Sequence, residues 1–415
     1  MNAAHLIPIT STQRIAYAFL AHLVILLIGA ACAAGIDGLA RLDADAIRRN
    51  ALDPRPAAFA QVTLTLALMS GMIGGGLYAL SHERGDSHFA DARLLVSARR
   101  LWTITCAALP LVVWIEPGIS PLLDVLPALT VIAVGIVVVR GVPRWWGLPR
   151  LWLAGLCALA AGCLLAETPF GGVLRDGLGI GLGVVALAFW QMHRFSDLPM
   201  GWVNTGLYSV GGLWTVGAVW LGLPPLYRLI PFTGQVGAAG VVILPVVCAI
   251  LASHAHLALT HRNTMRTLSA YWVGLYVILI LIGMGLLGAV NALPDAARYT
   301  ATTRLAGLQT ELIRWAFAAV LLGAVNQIAA ELRRENRRIT GLAPFWLVGF
   351  GVLLVAIGEG CAGVVETYLR WLMGMSAPQA AALVIPLMTL AAIGRIGMLL
   401  GLVGYGAGFW VRRVR

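Results

Sequence analysis

Eight histidines, six cysteines and eighteen acidic residues are what this chain offers for metal, nucleophilic or acid–base chemistry. His254 and His256 come nearest to a metal-binding pair, in the run Ser253-His254-Ala255-His256-Leu257. Residues two apart on a helix point about 200° from each other, so the pair does not close easily on one ion, and no metal site is expected there. His82, His88 and His261 fall in charged loops, His193 at a helix end and His5 in the tail, all solvated positions. His22 stands alone in an apolar stretch, where a hydrogen-bonded core side chain is the expected role. Cys32, Cys106, Cys157, Cys163, Cys248 and Cys361 all lie in apolar stretches, and only Cys157 and Cys163 are close in sequence, so neither disulfides nor a cysteine metal site is expected.

The charges inside apolar stretches are more informative. Such a side chain costs about 2.5–3.5 kcal/mol at mid-membrane and therefore calls for a partner or a water-filled cavity. Arg175 and Asp176 are adjacent. Glu311 and Arg314 are three apart, a spacing at which helical side chains face each other. Glu359 and Glu366 lie two turns apart on one helical face, and Arg395 is expected to pair with a carbonyl or a carboxylate. The expectation is one salt-bridged network of Arg175, Asp176, Glu311, Arg314 and Glu366, with Glu359 below it. The competing expectation places these residues at the membrane surface, solvated or snorkelling.

Composition says what must position them. Of 415 residues 60% are hydrophobic and only 11% charged, against about 25% in a soluble domain. Every one of the 29 basic residues is Arg. The net charge of +11 implies no nucleic-acid partner, because in a membrane protein the excess belongs to cytoplasmic loops. Twelve apolar stretches approach the roughly 20 residues that cross a bilayer. They cover residues 15–34, 58–80, 101–115, 122–139, 151–166, 178–192, 202–221, 236–259, 268–290, 306–330, 345–369 and 381–411, with the third and sixth the shortest. The fold class is therefore all-α: one transmembrane domain over residues 1–415, without repeat or extramembrane domain, in contact with lipid.

With the amino terminus inside, the cytoplasm receives Arg84, Arg93, Arg99 and Arg100, then Arg140, Arg144 and Arg150, then Arg262 and Arg266. It also receives Arg333, Arg334, Arg337 and Arg338, and the tail residues Arg412, Arg413 and Arg415. The opposite side takes Asp37, Asp43, Asp45, Asp53, Glu116, Glu167 and Asp295. This bias predicts a multi-pass protein of a bacterial inner membrane with both termini cytoplasmic. The first stretch has no small-residue cleavage site and is expected to be retained as a helix. Trp145, Trp146, Trp371 and Trp410 sit near helix ends as interfacial anchors.

Toward its carboxyl end the chain resembles the catalytic subunit I of haem-copper oxidases, particularly the cbb3-type. Phe345, Trp346 and Leu347 open the eleventh helix, with Gly363 and Glu366 at the spacing where the family has Gly and Gln. Asn291, Ala292, Leu293, Tyr299 and Thr300 reproduce the family's passage from the ninth helix to the tenth. The run from Trp220 through Leu221, Gly222, Leu223, Pro224, Pro225, Leu226 and Tyr227 to Arg228 keeps the frame of the family's copper motif without its histidines.

The resemblance implies a twelve-helix bundle and imidazole ligands for two haems and copper. The low-spin haem ligands would fall at Phe59 and Leu308, the high-spin ligand at Ala306, and the copper ligands at Arg175, Pro224 and Pro225. None of these binds a metal, so the chain resembles a member that has lost its redox centres, with no cofactor and no catalytic residue. It would serve as a structural or accessory subunit of a respiratory or electron-transfer complex, beside a cytochrome c-type or other respiratory subunit. Two readings compete with it: an active cbb3-type terminal oxidase or nitric oxide reductase subunit with haem b, and a twelve-helix secondary transporter using Glu359 and Glu366 as a proton or ion site.

Overall fold

The computed structural model describes residues 11–43, 52–83, 92–116, 124–141, 147–166, 168, 170–196, 198–222, 233–261, 267–300, 302–333 and 342–411. Among them all regular structure is helical. The first helices are α1 (Ser11–Ala40), α2 (Arg55–Glu83), α3 (Ala92–Ile115), α4 (Val125–Gly141) and α5 (Leu148–Leu164). Helix α6 joins a π-helical segment, Val173–Ile180, to Gly181–Ser196, and α7 is Met200–Gly222. Helix α8 is Thr233–Thr260, and α9 runs through Leu268–Ile280, a π-helical Leu281–Leu287 and Gly288–Ala292. After a short helix, Pro294–Thr300, come α10 (Arg304–Arg333) and α11 (Ala343–Trp371), then a second short helix, Ala377–Leu383, and α12 (Ile385–Val411).

Nine helices among the described residues are long and apolar enough to cross a membrane: α1, α2, α3, α6, α8, α9, α10, α11 and α12. Val125–Arg140 and Pro149–Leu164 are apolar but shorter. The 23-residue α7 is diluted by Asn204, Thr205, Tyr208, Ser209 and Thr215 and is not among the nine.

Most helices run a few residues beyond the expected bounds, α1 by six at its end, and three further differences have a local cause. Helix α3 starts at Ala92 rather than 101, because Arg93, Arg99 and Arg100 ride on its first turns instead of ending it. Helix α6 begins at Val173 rather than 178, since its π-helical turns carry Arg175 and Asp176 inside the helix. The expected last span, 381–411, is broken between Leu383 and Ile385: Pro386 has no N–H to continue the preceding helix, which is itself closed at its start by a Ser376–Gln379 capping box. Among the twelve numbered helices the shortest are α4 and α5, not the third and sixth.

Helix α10 is the axis of the bundle: 83% of its apolar window is buried, against 33% for α8. It packs on α9, α11, α2 and α6. Trp102, Trp152, Trp190, Trp214 and Trp272 are almost wholly enclosed. Indole N–H groups that face polar atoms are used: Trp102 Nε1 donates to Ser70 Oγ (2.8 Å) and Trp152 Nε1 to the Met72 carbonyl (3.1 Å). With lipid as apolar as the interior, close van der Waals packing rather than water exclusion holds such helices together. Helices α11 and α12 show it most directly. A Cβ built on Gly394 would lie 2.5 Å from the Gly351 carbonyl oxygen, and one on Gly358 would lie 2.7 Å from the Ala391 nitrogen. Only glycine lets these two backbones approach so closely, and the approach sets the next residues on each helix, Glu359 and Arg395, side by side.

A buried charged layer as candidate functional site

The charged layer lies at one end of the bundle, where α1 and α11 finish and α10 and α12 begin. Arg395, 6% exposed, reaches from α12 to both Glu359 on α11 and Glu311 on α10. Its Nη2 is in close contact with Glu359 Oε1 and lies 3.5 Å from Glu311 Oε2. Gly38 on α1 leaves room for this arginine, since a Cβ there would come within 3.1 Å of Arg395 Cδ and Nη1. Beside it, Arg41 just past the end of α1 donates through Nε to Asp37 Oδ2 on α1 at 2.7 Å.

Nearer the helix ends, Glu366 faces two arginines, Arg304 at 3.5 Å and Arg370 at 3.7 Å. Arg370 Nη1 also donates to the Thr302 carbonyl (2.5 Å), and Trp371 Nε1 donates to the Tyr299 carbonyl (3.2 Å). These bonds pin the end of α11 onto the segment that leads into α10. On the other side of α10, Arg314 Nη2 donates to Asp176 Oδ2 at 2.6 Å, while Arg175 Nε donates to Asp176 Oδ1 at 2.8 Å. The same π-helical stretch is held by Trp214 Nε1 donating to the Gly177 carbonyl at 3.0 Å.

The single network expected from sequence is therefore three ion groups: Asp176 with Arg175 and Arg314, Glu366 with Arg304 and Arg370, and Arg395 with Glu359 and Glu311. Glu311 and Arg314 do not face each other as their spacing suggested. Three residues subtend about 300° on a helix, and here each side chain turns to a different neighbouring helix. The partners of Arg395, and the presence of Arg304 and Arg370, were missed by sequence reasoning. Arg304 and Arg370 sit just outside the apolar windows, where arginine reads as a surface residue.

A second polar clamp sits at the opposite end of the bundle and was also missed. Glu331 on α10 accepts hydrogen bonds from Tyr78 Oη (3.0 Å), Arg194 Nη2 (2.8 Å) and Gln327 Nε2 (2.8 Å), joining α2, α6 and α10. Arg333 donates to Tyr17 Oη (3.2 Å) and to the Phe409 carbonyl (2.5 Å), adding α1 and α12. The sole sequence signal for it is the four-residue spacing of Gln327 and Glu331 at the end of a predicted span.

The described histidines lie elsewhere, and His5 and His88 fall outside the described residues. His254 Nδ1 donates to the Ile250 carbonyl at 2.8 Å, and its ring packs at 5.8 Å from Phe189 and 5.6 Å from Trp202. His256 is exposed on another face of α8. His22 Nδ1 donates to the Ala18 carbonyl at 2.8 Å. Among the described residues no three of His, Cys, Asp and Glu converge as a metal site.

The haem implied by the family resemblance does not fit the residues present. Leu308, where the resemblance would put one axial ligand, is 2% exposed and fills the α10–α11 interface, 3.5 Å from where a Cβ on Gly360 would lie. One turn earlier, Leu305 similarly fills the space at Gly363, where a Cβ would meet its Cγ at 2.8 Å. Phe59 packs edge-on to Trp114 with ring centroids 5.6 Å apart, and Ala306 is half-buried. None of these side chains has a lone pair to give iron. Arg175 is committed to Asp176, and Pro224 and Pro225 lie outside the described residues. No family model matches the chain, and no curated protein matches it.

Proposed function

We propose that this chain is a twelve-span protein of a bacterial inner membrane, with both termini cytoplasmic, built on an oxidase-subunit-I-like frame that holds no haem or copper centre. In this reading α4, α5 and α7 complete the twelve spans, and the charged layer lies toward the outer face. The protein works as a structural or accessory subunit of a respiratory or electron-transfer complex, presenting that face to a cytochrome c-type or other respiratory subunit.

The observation that supports it most is Leu308: a buried carbon side chain locks α10 to α11 where the frame would need an imidazole. The three ion groups and the Glu331 clamp support a rigid role, because each joins two or three helices and leaves the bundle little freedom to rock. The test is purification from native membranes under mild detergent, followed by absorption spectroscopy, metal analysis and identification of copurifying subunits. The expected result is no Soret band, no copper or iron in proportion to protein, and a recurrent electron-transfer subunit. A stoichiometric haem spectrum overturns the proposal.

A further inference from the structure

Two carboxylates converge on one guanidinium inside the bundle, and that imbalance has a chemical consequence. Arg395 is almost wholly buried and faces Glu359 in close contact and Glu311 at 3.5 Å. The other charged groups facing this point make their ion contacts within 4 Å elsewhere. Asp37 on α1 and Arg41 just beyond its end pair with each other at 2.7 Å. On α10, Arg304 is turned to Glu366 and Arg314 to Asp176. On α11, Arg370 and Glu366 face each other, and Arg395 is the only charged residue in α12. With both glutamates ionised, Arg395 would be the single cation within 4 Å of two negative charges among the described residues, the surplus arginine at Glu366 lying farther off, in a medium of low polarity where a carboxyl group neutralises rather than stays charged.

We propose that Glu311 and Glu359 hold one proton between them opposite Arg395, which makes this group a proton-binding site. The asymmetry of the contacts assigns the roles. Glu359, in close contact with Arg395 and with a side chain only 9% accessible, is the ionised partner. Glu311, farther from the guanidinium and 23% accessible, carries the proton and exchanges it. Arg395 Nη1 has no hydrogen-bond partner among the described residues and lies against Gly38, so within hydrogen-bonding reach the guanidinium is shared by these two acids alone. Proton binding is carboxylate plus H⁺ giving carboxylic acid, and it requires no other reactant. The site stands whether or not the chain is an accessory subunit.

The experiment is infrared spectroscopy of the full chain in lipid nanodiscs at neutral pH, comparing H₂O with D₂O. The wild type is expected to show the carbonyl stretch of a protonated carboxylic acid, shifted by deuteration. Glu311→Gln removes the proton carrier and abolishes that band. Glu359→Gln leaves one carboxylate for one guanidinium, so Glu311 ionises and the band is abolished again. Both variants are nearly isosteric, and equal elution volume and helix content check that they fold. Arg395→Gln, where it folds, is expected to double the band, since both acids then protonate. Absence of the band from the wild type, or its survival at full intensity in either glutamine variant, overturns the proposal. Because the readout involves no haem and no partner subunit, its failure is separate from failure of the accessory-subunit reading.

Discussion

Replacing Arg395 with methionine tests whether the buried ion group holds the carboxyl-terminal helix in place. The side chain keeps much of its length and loses its charge, so packing against Gly38 changes little while Glu359 and Glu311 lose their shared cation. Both members of the closest pair are below one tenth exposed, so solvent screening takes little from their interaction. Removing one partner of such a buried pair costs about 3–5 kcal/mol, because the carboxylate left without its counter-ion must be held charged or take up a proton at a free-energy cost. Removing both acids as well as the base relieves that penalty. The triple variant Arg395→Met, Glu359→Gln, Glu311→Gln is therefore expected to be more stable than Arg395→Met alone. Equilibrium unfolding in mixed micelles with rising denaturing-detergent fraction reads the difference. The cycle formed by Arg395→Met and Glu359→Gln should show a coupling of about 1–3 kcal/mol, the range of contacting residues. A loss below about 0.5 kcal/mol for Arg395→Met, the size of an ordinary surface change, would refute the reasoning. So would strict additivity of the two single substitutions.

Other substitutions probe the packing and the second ion group. Gly394→Leu forces a side chain into the Gly351 backbone and should cost at least the roughly 1–3 kcal/mol of overpacking. Gly408→Ala, on the same helix with nothing within 4 Å of the new methyl, should be neutral or stabilise by up to about 1 kcal/mol in the same unfolding assay. Asp176→Asn removes the charge and turns one of the two oxygens that accept from Arg175 and Arg314 into a donor, and should lower stability by about 1.5–3 kcal/mol, the value of hydrogen bonds to charged groups. Trp152→Phe loses only the bond to the Met72 carbonyl and a small volume, so a loss near 1 kcal/mol is expected.

The helical, membrane-crossing nature of the chain was legible because hydrocarbon thickness imposes a length and a composition on each span. Long runs such as Ala343–Trp371 stand out for that reason. Less legible were places where local chemistry departs from a uniform helix. The π-helical turns at Val173–Ile180 carry two charges inside a span, and the break before Ile385 hides in an unbroken apolar run. In the charged layer the participants Arg175, Asp176, Glu311, Arg314, Glu359 and Glu366 could be picked out, because each is costly in an apolar stretch. Their pairing could not. A pair within one helix follows from spacing, whereas Glu359 meets Arg395 because Gly351, Gly358 and Gly394 let two backbones touch, a fact about tertiary approach that no local pattern contains.

The placement of charge on α10 suggests what the ion groups do for the fold. Arg304 and Glu311 are seven residues apart, so they fall within about 20° of each other on the helix, and they face α11 and α12. Arg314, three residues further, lies roughly 60–80° away from them and faces α6. At the far end of the same helix Glu331 meets Arg194 on α6 and Tyr78 on α2. Apolar packing alone specifies register less sharply here, because α10 presents leucine and alanine along much of its own buried surface. A shift of one residue would rotate α10 by about 100° and carry Arg304, Glu311, Arg314 and Glu331 away from all of their partners at once. The four contacts thus act as one registry device, in which the high cost of a stranded charge, more than the attraction within any pair, selects a single arrangement of the central helix.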